Sequence, residues 1–206
     1  MKILVFDTCL DKMYVTAADN GNILTSKVVT NKDNKYHSAF LISTIKEILK
    51  ENNLTPKDLD AIGTDIGPGS FTGIRACTTV ARIMAQQLSI PAIGVSSLEI
   101  LSETNPSDKP SLVALDARKE SAYLYLENKV QNSAVSLEKV WEIISGNDFY
   151  LITDDRLQKV LGGVSYQQAD FPLGEILAKL TFEKLQTFKP AWHELKPLYI
   201  QPPPNR

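Results

Sequence analysis

Residues 62–75 read Ile-Gly-Thr-Asp-Ile-Gly-Pro-Gly-Ser-Phe-Thr-Gly-Ile-Arg. This stretch predicts the end of a buried strand, a tight turn at Gly67-Pro68-Gly69 and a long helix capped by Ser70. The first N–H groups of such a helix point into the turn and can hold an anion. Thr72, however, stands where both the Walker loop and the dinucleotide fingerprint require glycine. The sequence leaves a structural turn and a phosphate cradle open, and it favours the turn.

The helix after this turn has apolar residues on more than one face. A helix packed only on its own sheet needs an apolar stripe about 100° wide. Thr72, Arg75, Thr79, Arg82 and Gln86 form one polar stripe, and most of the remaining positions are apolar. Two interpretations stay open: a helix sandwiched within its own domain, or a helix whose second apolar side meets a partner.

The composition is typical of a globular protein with one or two domains. The chain has 206 residues, of which 43% are hydrophobic, and a net charge of -2. The start reads as a first strand ending at Asp7, and with no apolar run of membrane-spanning length we expect a cytoplasmic protein. The mildly acidic balance argues against a main nucleic-acid-binding surface. Cys9 and Cys77 are expected to be buried free thiols.

The second half of the chain repeats the first. Ser111–Asp116 repeats Lys2–Asp7, and a tyrosine follows each acid seven residues later, at Tyr14 and Tyr123. This long-period duplication predicts an α/β fold built from two β-β-β-α units, as in the actin/hexokinase-like architecture. A polar link near Ser102–Pro110 divides the predicted subdomains, 1–104 and 105–206, of which the second is reduced. Further helices are predicted at about 35–52, 137–145 and 173–187.

The turn sequence Gly67–Arg75, followed by Pro91–Glu99, resembles the bacterial TsaB (YeaZ) family. Proteins of that family take part in making threonylcarbamoyladenosine on tRNA. The resemblance implies the actin/hexokinase-like (ASKHA) fold with duplicated β-β-β-α-β-α units. It continues at Asp7-Thr8, His37, Asp116-Ala117-Arg118 and Pro197-Leu198-Tyr199.

The residues argue against phosphotransfer or metal chemistry in this chain alone. In phosphotransferases of this architecture, the acid that ends the first strand helps to hold the metal–phosphate complex, and a glycine-rich turn follows it. In this chain, neither the turn that begins at Asp7 nor the turn that begins at Asp116 contains glycine. The related TsaD proteins carry H-x-x-x-H on the corresponding helix, whereas His37 is followed four residues later by Leu41. We expect no catalytic set and no bound metal. The candidates for nucleotide or phosphate contact are Asp7, Gly67, Gly69, Ser70 and Arg118.

The resemblance implies a non-catalytic scaffold that docks on TsaD through the helices beginning near Lys35 and Ser70. It also implies TsaE as a partner, a homodimer when the chain is alone, and contact with tRNA only through the complex. It implies no cofactor of the chain's own and leaves ATP or ADP as ligands of the assembled complex. Replacing Ile48 or Ala85 with Asp is expected to abolish pairing and leave the monomer folded. The expected interface residues are Phe40, Leu41, Thr44, Ile48, Phe71, Arg75, Thr78, Arg82 and Ala85.

Two alternatives from other classes stay open. One is a nucleotide-binding ASKHA module without turnover, in which the turn and Arg118 line a site. The other is an enzyme, either an ATPase of the kinase-like type or a peptidase-like protein. The missing glycines and the apolar Leu41 count against the enzyme.

Overall fold

The computed structural model describes residues 1–30, 37–126, 128–131 and 133–200. The strands are β1 (Lys2–Asp7), β2 (Met13–Asp19), β3 (Asn22–Val29), β4 (Ala61–Asp65), β5 (Ala92–Val95), β6 (Ser111–Asp116), β7 (Ser121–Leu126), β8 (Lys129–Val130), β9 (Val135–Ser136), β10 (Tyr150–Thr153) and β11 (Val164–Ser165). The helices are α1 (Leu41–Glu51), α2 (Phe71–Leu88), α3 (Ser97–Ser102), α4 (Leu137–Ser145), α5 (Asp155–Leu161) and α6 (Leu173–Thr187). Short 3-10 turns occur at His37–Phe40, Pro56–Asp58 and Trp192–Glu194.

The described residues form two sheets with the same internal arrangement. In the first sheet the order is β3-β2-β1-β4-β5, with β1 antiparallel to β2 and parallel to β4. In the second the order is β11-β10-β6-β7-β8, with β6 antiparallel to β7 and parallel to β10. The predicted duplication and the α/β, actin/hexokinase-like fold class are therefore confirmed.

The register of the two halves differs by one residue, although the sequence offset of the acids and tyrosines is constant. Asp7 lies opposite Tyr14 on the neighbouring strand. In the second half Asp116 lies opposite Ala122, and Tyr123 lies opposite Leu115. The loop between β6 and β7 is one residue shorter than the loop between β1 and β2, so the equivalent tyrosine is shifted along its strand.

The first unit has three layers, because its central strand is apolar on both faces. Leu4 and Phe6 of β1 share one buried core with the inner faces of α1 and α2. On the other face, Gly63 of β4 lies against the side chain of Val5 from β1 and the side chain of Thr181 from α6. A central parallel strand covered on both faces needs such a continuous apolar run.

The division of the chain differs from the predicted boundary at residues 104 and 105. One compact unit contains Met1–Ser97 together with Pro172–Leu198, and the other contains Leu98–Phe171. The returning segment carries α6, whose contact with Gly63 explains why it belongs with the first unit. The helix itself was predicted with the correct bounds.

Most other predicted elements are present, with small differences at their ends. The helix predicted to begin near Lys35 starts as a 3-10 turn at His37 and becomes α1 at Leu41. Residues 31–36 lie outside the described residues. No helix among the described residues is both long and apolar enough to cross a membrane.

The packing of α6 on β4 predicts the effect of Gly63→Ala. A methyl group at this position would meet Thr181 and the Val5 side chain. We expect a loss of about 1–3 kcal/mol in the free energy of unfolding, measured by urea denaturation. Adding Thr181→Ala should recover part of that loss, since it removes the closest atoms.

The matched control for this test is Gly146→Ala at the end of α4. An added methyl group there has its nearest neighbour, the Glu142 carbonyl oxygen, at 3.8 Å. We expect a change within about 0.5 kcal/mol. Equal losses at both glycines, or no recovery in the double variant, would contradict the placement of α6.

Candidate functional site

The turn between β4 and α2 crosses the loop after β1 at very short range. A Cβ atom at Gly69 would collide with the carbonyl of Cys9, and one at Gly73 would collide with the carbonyl of Thr8. The Ser70 N–H donates to the Cys9 carbonyl oxygen at 2.7 Å, and the Thr8 hydroxyl donates to the Gly73 carbonyl oxygen at 2.6 Å. Ser70 also caps α2 as predicted, by accepting from the Gly73 N–H. Glycine is needed at positions 69 and 73 because the two backbone segments are in direct contact there.

Several of the predicted phosphate-contacting groups are engaged within the protein. The N–H of Gly67 donates to Asp65 Oδ1 at 2.6 Å, and the N–H of Ser70 donates to the carbonyl oxygen of Cys9. Asp7 is buried, with 2% of its surface exposed. In the second unit, Arg118 is exposed and has a left-handed backbone. Two N–H groups and one acid of the expected cradle thus have partners inside the first unit.

In the second unit, a different arginine pairs with the acid at the end of the first strand. Arg156 Nη1 lies 2.6 Å from Asp116 Oδ1, and Nη2 lies 3.0 Å from Glu120 Oε1. Arg118, the arginine predicted to contact nucleotide or phosphate, is not the residue that makes this pair. Arg156 lies in α5, a helix that was not predicted, so no motif drew attention to it.

Two carboxyl groups lie side by side at the carboxyl edge of the first sheet. Asp7 ends β1 and Asp65 ends β4, and these strands are parallel neighbours. The Cys9 N–H donates to Asp7 Oδ1, while Gly67 N–H and the Ser97 hydroxyl donate to Asp65. An oxygen of Asp7 and an oxygen of Asp65 lie within 4.8 Å of each other, so the two carboxyl groups affect each other's pKa.

This acid pair holds a proton that separate carboxyl groups would release. Burial raises the pKa of Asp7 well above its ordinary value, and the charge of Asp65 raises it further. Burial also raises the pKa of Asp65, to about 6, although the hydrogen bonds from Gly67 and Ser97 oppose the shift. Since Asp65 receives more donors, we place the negative charge on Asp65 and the shared proton on Asp7.

Sequence reasoning missed Asp65 and Ser97 as members of this site. The available signal was topological: acids that end neighbouring parallel strands meet at one edge of a sheet. Asp65 stands in the 62–75 stretch, but of these two acids only Asp7 was predicted to contact nucleotide or phosphate. Ser97 lies within the Pro91–Glu99 stretch, but no local pattern marks it as a donor to Asp65, which lies 32 residues away along the chain.

Two thiols complete the buried cluster. Cys9 and Cys77 are buried and free, as the sequence predicted. Burial raises the pKa of Cys9, as do its hydrogen bond with Cys77 and the neighbouring Asp65 charge. At Cys77 burial acts in the same direction, but hydrogen bonds from Cys9, Thr64 and Thr8 outweigh it and lower the pKa.

A mixed set of oxygen and sulfur atoms lies within this cluster. Asp7, Cys9 and Asp65 each place one potential ligand atom within 4.8 Å of the others. The two carboxyl groups already share a proton and accept the N–H and hydroxyl donors described above, and the sulfur contacts Cys77. We assign no metal to these residues, which leaves the sequence prediction as it stood.

The structure buries most of the residues that were predicted to form a partner interface. Leu41, Thr44, Ile48, Thr78 and Ala85 lie inside the first unit. Their assignment to an exposed interface is wrong, because apolar periodicity marks two faces of a helix without saying which is inside. Replacing Ile48 or Ala85 with Asp would place a charge in the core and unfold the unit. Of the remaining predicted residues, Phe40 and Arg82 are half-buried, and Phe71 and Arg75 are exposed.

Both helices nevertheless present apolar side chains on their outer faces. Ile42 of α1 is 49% exposed, and Phe71 and Ile83 of α2 are 42% and 54% exposed. Ala76 and Val80 lie half-buried on the same side of α2 as Ile83, whereas the polar stripe of α2 separates Phe71 from them. We call Ile42, Ala76, Val80 and Ile83 the helical face.

Comparison with known proteins gives consistent matches. The family model described as TsaD, tRNA N6-adenosine threonylcarbamoyltransferase, matches residues 22–169. The tRNA threonylcarbamoyladenosine biosynthesis protein TsaB of Bacillus subtilis (strain 168) is 30% identical over 158 residues, which cover 72% of this chain and 68% of that protein. TsaB of Buchnera aphidicola subsp. Baizongia pistaciae is 24% identical, covering 90% of this chain and 97% of that protein.

A solved structure supports the fold. YeaZ from Pseudomonas aeruginosa superposes with a TM-score of 0.74 and 22% identity, covering 96% of this chain and 99% of that chain. At this level of identity the likeness bears on the fold alone.

The shared proton predicts an unusual dependence of stability on pH. The folded chain retains protons on Asp7 and Asp65 that the unfolded chain releases near pH 4. The free energy of unfolding is therefore expected to fall as the pH rises from about 4 through about 6. In Asp7→Asn, the amide can donate to Asp65 without releasing a proton, so the fall in the free energy of unfolding should be smaller than in the wild type.

Urea denaturation at a series of pH values measures this effect. The matched control is Asp148→Asn, which removes an exposed carboxylate paired with Lys109 and should leave the wild-type profile nearly unchanged. Parallel profiles for the wild type and Asp7→Asn would refute the shared proton.

Proposed function

This chain belongs to the bacterial TsaB (YeaZ) family of tRNA threonylcarbamoyladenosine biosynthesis proteins, and on that premise we propose that it is a non-catalytic scaffold that pairs with TsaD. In this proposal TsaD supplies the transfer site, TsaE joins the assembly, and tRNA meets this chain only through the complex. The coarser role, participation in threonylcarbamoyladenosine biosynthesis, follows from the family itself.

The observation that carries the proposal is the helical face on α1 and α2. Ile42 and Ile83 are about half exposed although the unit already has a full core beneath them. Large apolar side chains at half exposure on neighbouring helices favour association, because pairing removes their surface from water. An aliphatic or aromatic anchor in such an interface can contribute about 2 kcal/mol.

The matched region gives a reason why TsaD would be the partner. A model of the TsaD family matches residues 22–169, a range that includes both helices of the helical face. Two chains of one fold can pair through equivalent faces around an approximate two-fold axis. The same geometry would allow two copies of this chain to form a homodimer when TsaD is absent.

The buried acid pair supports the non-catalytic part of the proposal. Asp7 occupies the position whose acid holds the metal–phosphate complex in phosphotransferases of this architecture. Here it is enclosed, shares its proton with Asp65 and accepts the Cys9 N–H. A carboxyl group in this state is a poor ligand for a phosphate-bound cation.

Ile83→Glu and Ile42→Glu test the docking role. Each places a charge on the helical face at a position that is already solvent-exposed, so the monomer should stay folded. We expect affinity for TsaD to fall by at least about tenfold, measured by titration calorimetry with size-exclusion chromatography as a second readout.

Val160→Glu provides the matched control. Val160 is 44% exposed on α5 in the second unit, so the same change is made at similar exposure away from the helical face. Its affinity for TsaD should equal that of the wild type. Undiminished binding by both α1 and α2 variants, with unchanged thermal unfolding, would refute docking through this face.

A separate measurement tests whether the isolated chain binds nucleotide. We expect no heat of binding when ADP is added to the isolated chain, because the N–H groups of Gly67 and Ser70 already have acceptors. Binding that occurs only after TsaD is added would place ATP or ADP in the assembled complex. Binding to the isolated chain would favour the nucleotide-binding alternative.

A further inference from the structure

The only two cysteines of the chain meet in the interior of the first unit. Cys9 lies in the loop after β1, and Cys77 lies on the inner face of α2. Their sulfur atoms are 3.6 Å apart, and at most 1% of either residue is exposed. Residues separated by 68 positions along the chain are therefore in direct side-chain contact.

Both thiols also share one backbone acceptor. The Cys77 sulfur lies 3.1 Å from the carbonyl oxygen of Asp65, and the Cys9 sulfur lies 3.6 Å from the same atom. A common acceptor orients both sulfurs toward one point. Because a disulfide bond is about 2.05 Å long, the sulfurs need to approach by only about 1.5 Å.

We propose that Cys9 and Cys77 are a modification site, at which a peroxide oxidises the two thiols to an intramolecular disulfide. The thiolate of one cysteine attacks a peroxide oxygen, which breaks the O–O bond, releases water after protonation and leaves a sulfenic acid. The second sulfur attacks the sulfenyl sulfur and expels another water. Two thiols and one hydrogen peroxide thus give one disulfide and two water molecules.

The consequence of this bond is local and structural. It ties α2 covalently to the loop after β1 at the place where the two segments already cross. It also removes both S–H donors from the Asp65 carbonyl oxygen, at the entrance to the turn. The closed loop of 68 residues restricts the unfolded chain, so the oxidised protein should be harder to unfold.

Peroxide treatment of the folded, reduced full-length chain tests the proposal. After quenching, the protein is unfolded, alkylated with iodoacetamide and weighed by mass spectrometry. We expect loss of both alkylation sites, a mass lower by about 2 Da than that of the reduced, unalkylated chain, and a digest fragment joining Cys9 to Cys77. The oxidised chain should also unfold at higher urea concentration, and dithiothreitol should reverse this shift.

Cys9→Ser and Cys77→Ser provide the controls, since each retains a hydroxyl that can donate to Asp65. Neither can form the cross-link, and each should stop at a sulfenic acid that a dimedone probe traps. The proposal fails if the wild type keeps two alkylatable thiols while added glutathione is fully oxidised. It also fails if the products are sulfinic acids or intermolecular dimers, or if the cross-link forms only in urea.

Discussion

The first unit depends on the close crossing of two backbone segments, the loop after β1 and the first turn of α2. Hydrogen bonds on both sides hold the crossing together, from Ser70 N–H to Cys9 and from the Thr8 hydroxyl to Gly73. No side chain fits between the segments, so glycine is required at the two points of contact, Gly69 and Gly73. The composition of the turn, which resembles a phosphate loop, is thus explained by packing.

The same crossing encloses the acid and thiol groups beneath it. Because the loop after β1 packs against α2, Asp7 loses contact with water, and burial destabilises its ionised form. One carboxyl group of the Asp7–Asp65 pair therefore keeps its proton, and the hydrogen bonds from Gly67 and Ser97 stabilise the negative charge of Asp65. The acid that ends β1 is therefore part of the interior of this chain.

Local sequence signals predicted the elements well and their placement less well. The cap at Ser70 and the bounds of α4 and α6 were predictable, because caps and apolar periodicity depend on neighbouring residues. The packing of α6 on the first sheet was not predictable. It depends on the absence of a side chain at Gly63, and no local sequence pattern shows which helix packs there. The side of α2 that faces inward was also missed, so Ala85 and Thr78 were assigned to the surface.

The crossing also bears on the proposed docking role of α2. A helix anchored at its first turn and packed along one side presents its outer residues in fixed positions. Binding then costs little conformational entropy, because Ile83 and its neighbours on the helical face do not need to be ordered first. The half-buried residues Ala76 and Val80 allow a partner helix to approach closely beside Ile83. In the proposed complex, the crossing that holds the first turn of α2 would therefore also keep its outer residues in place for docking.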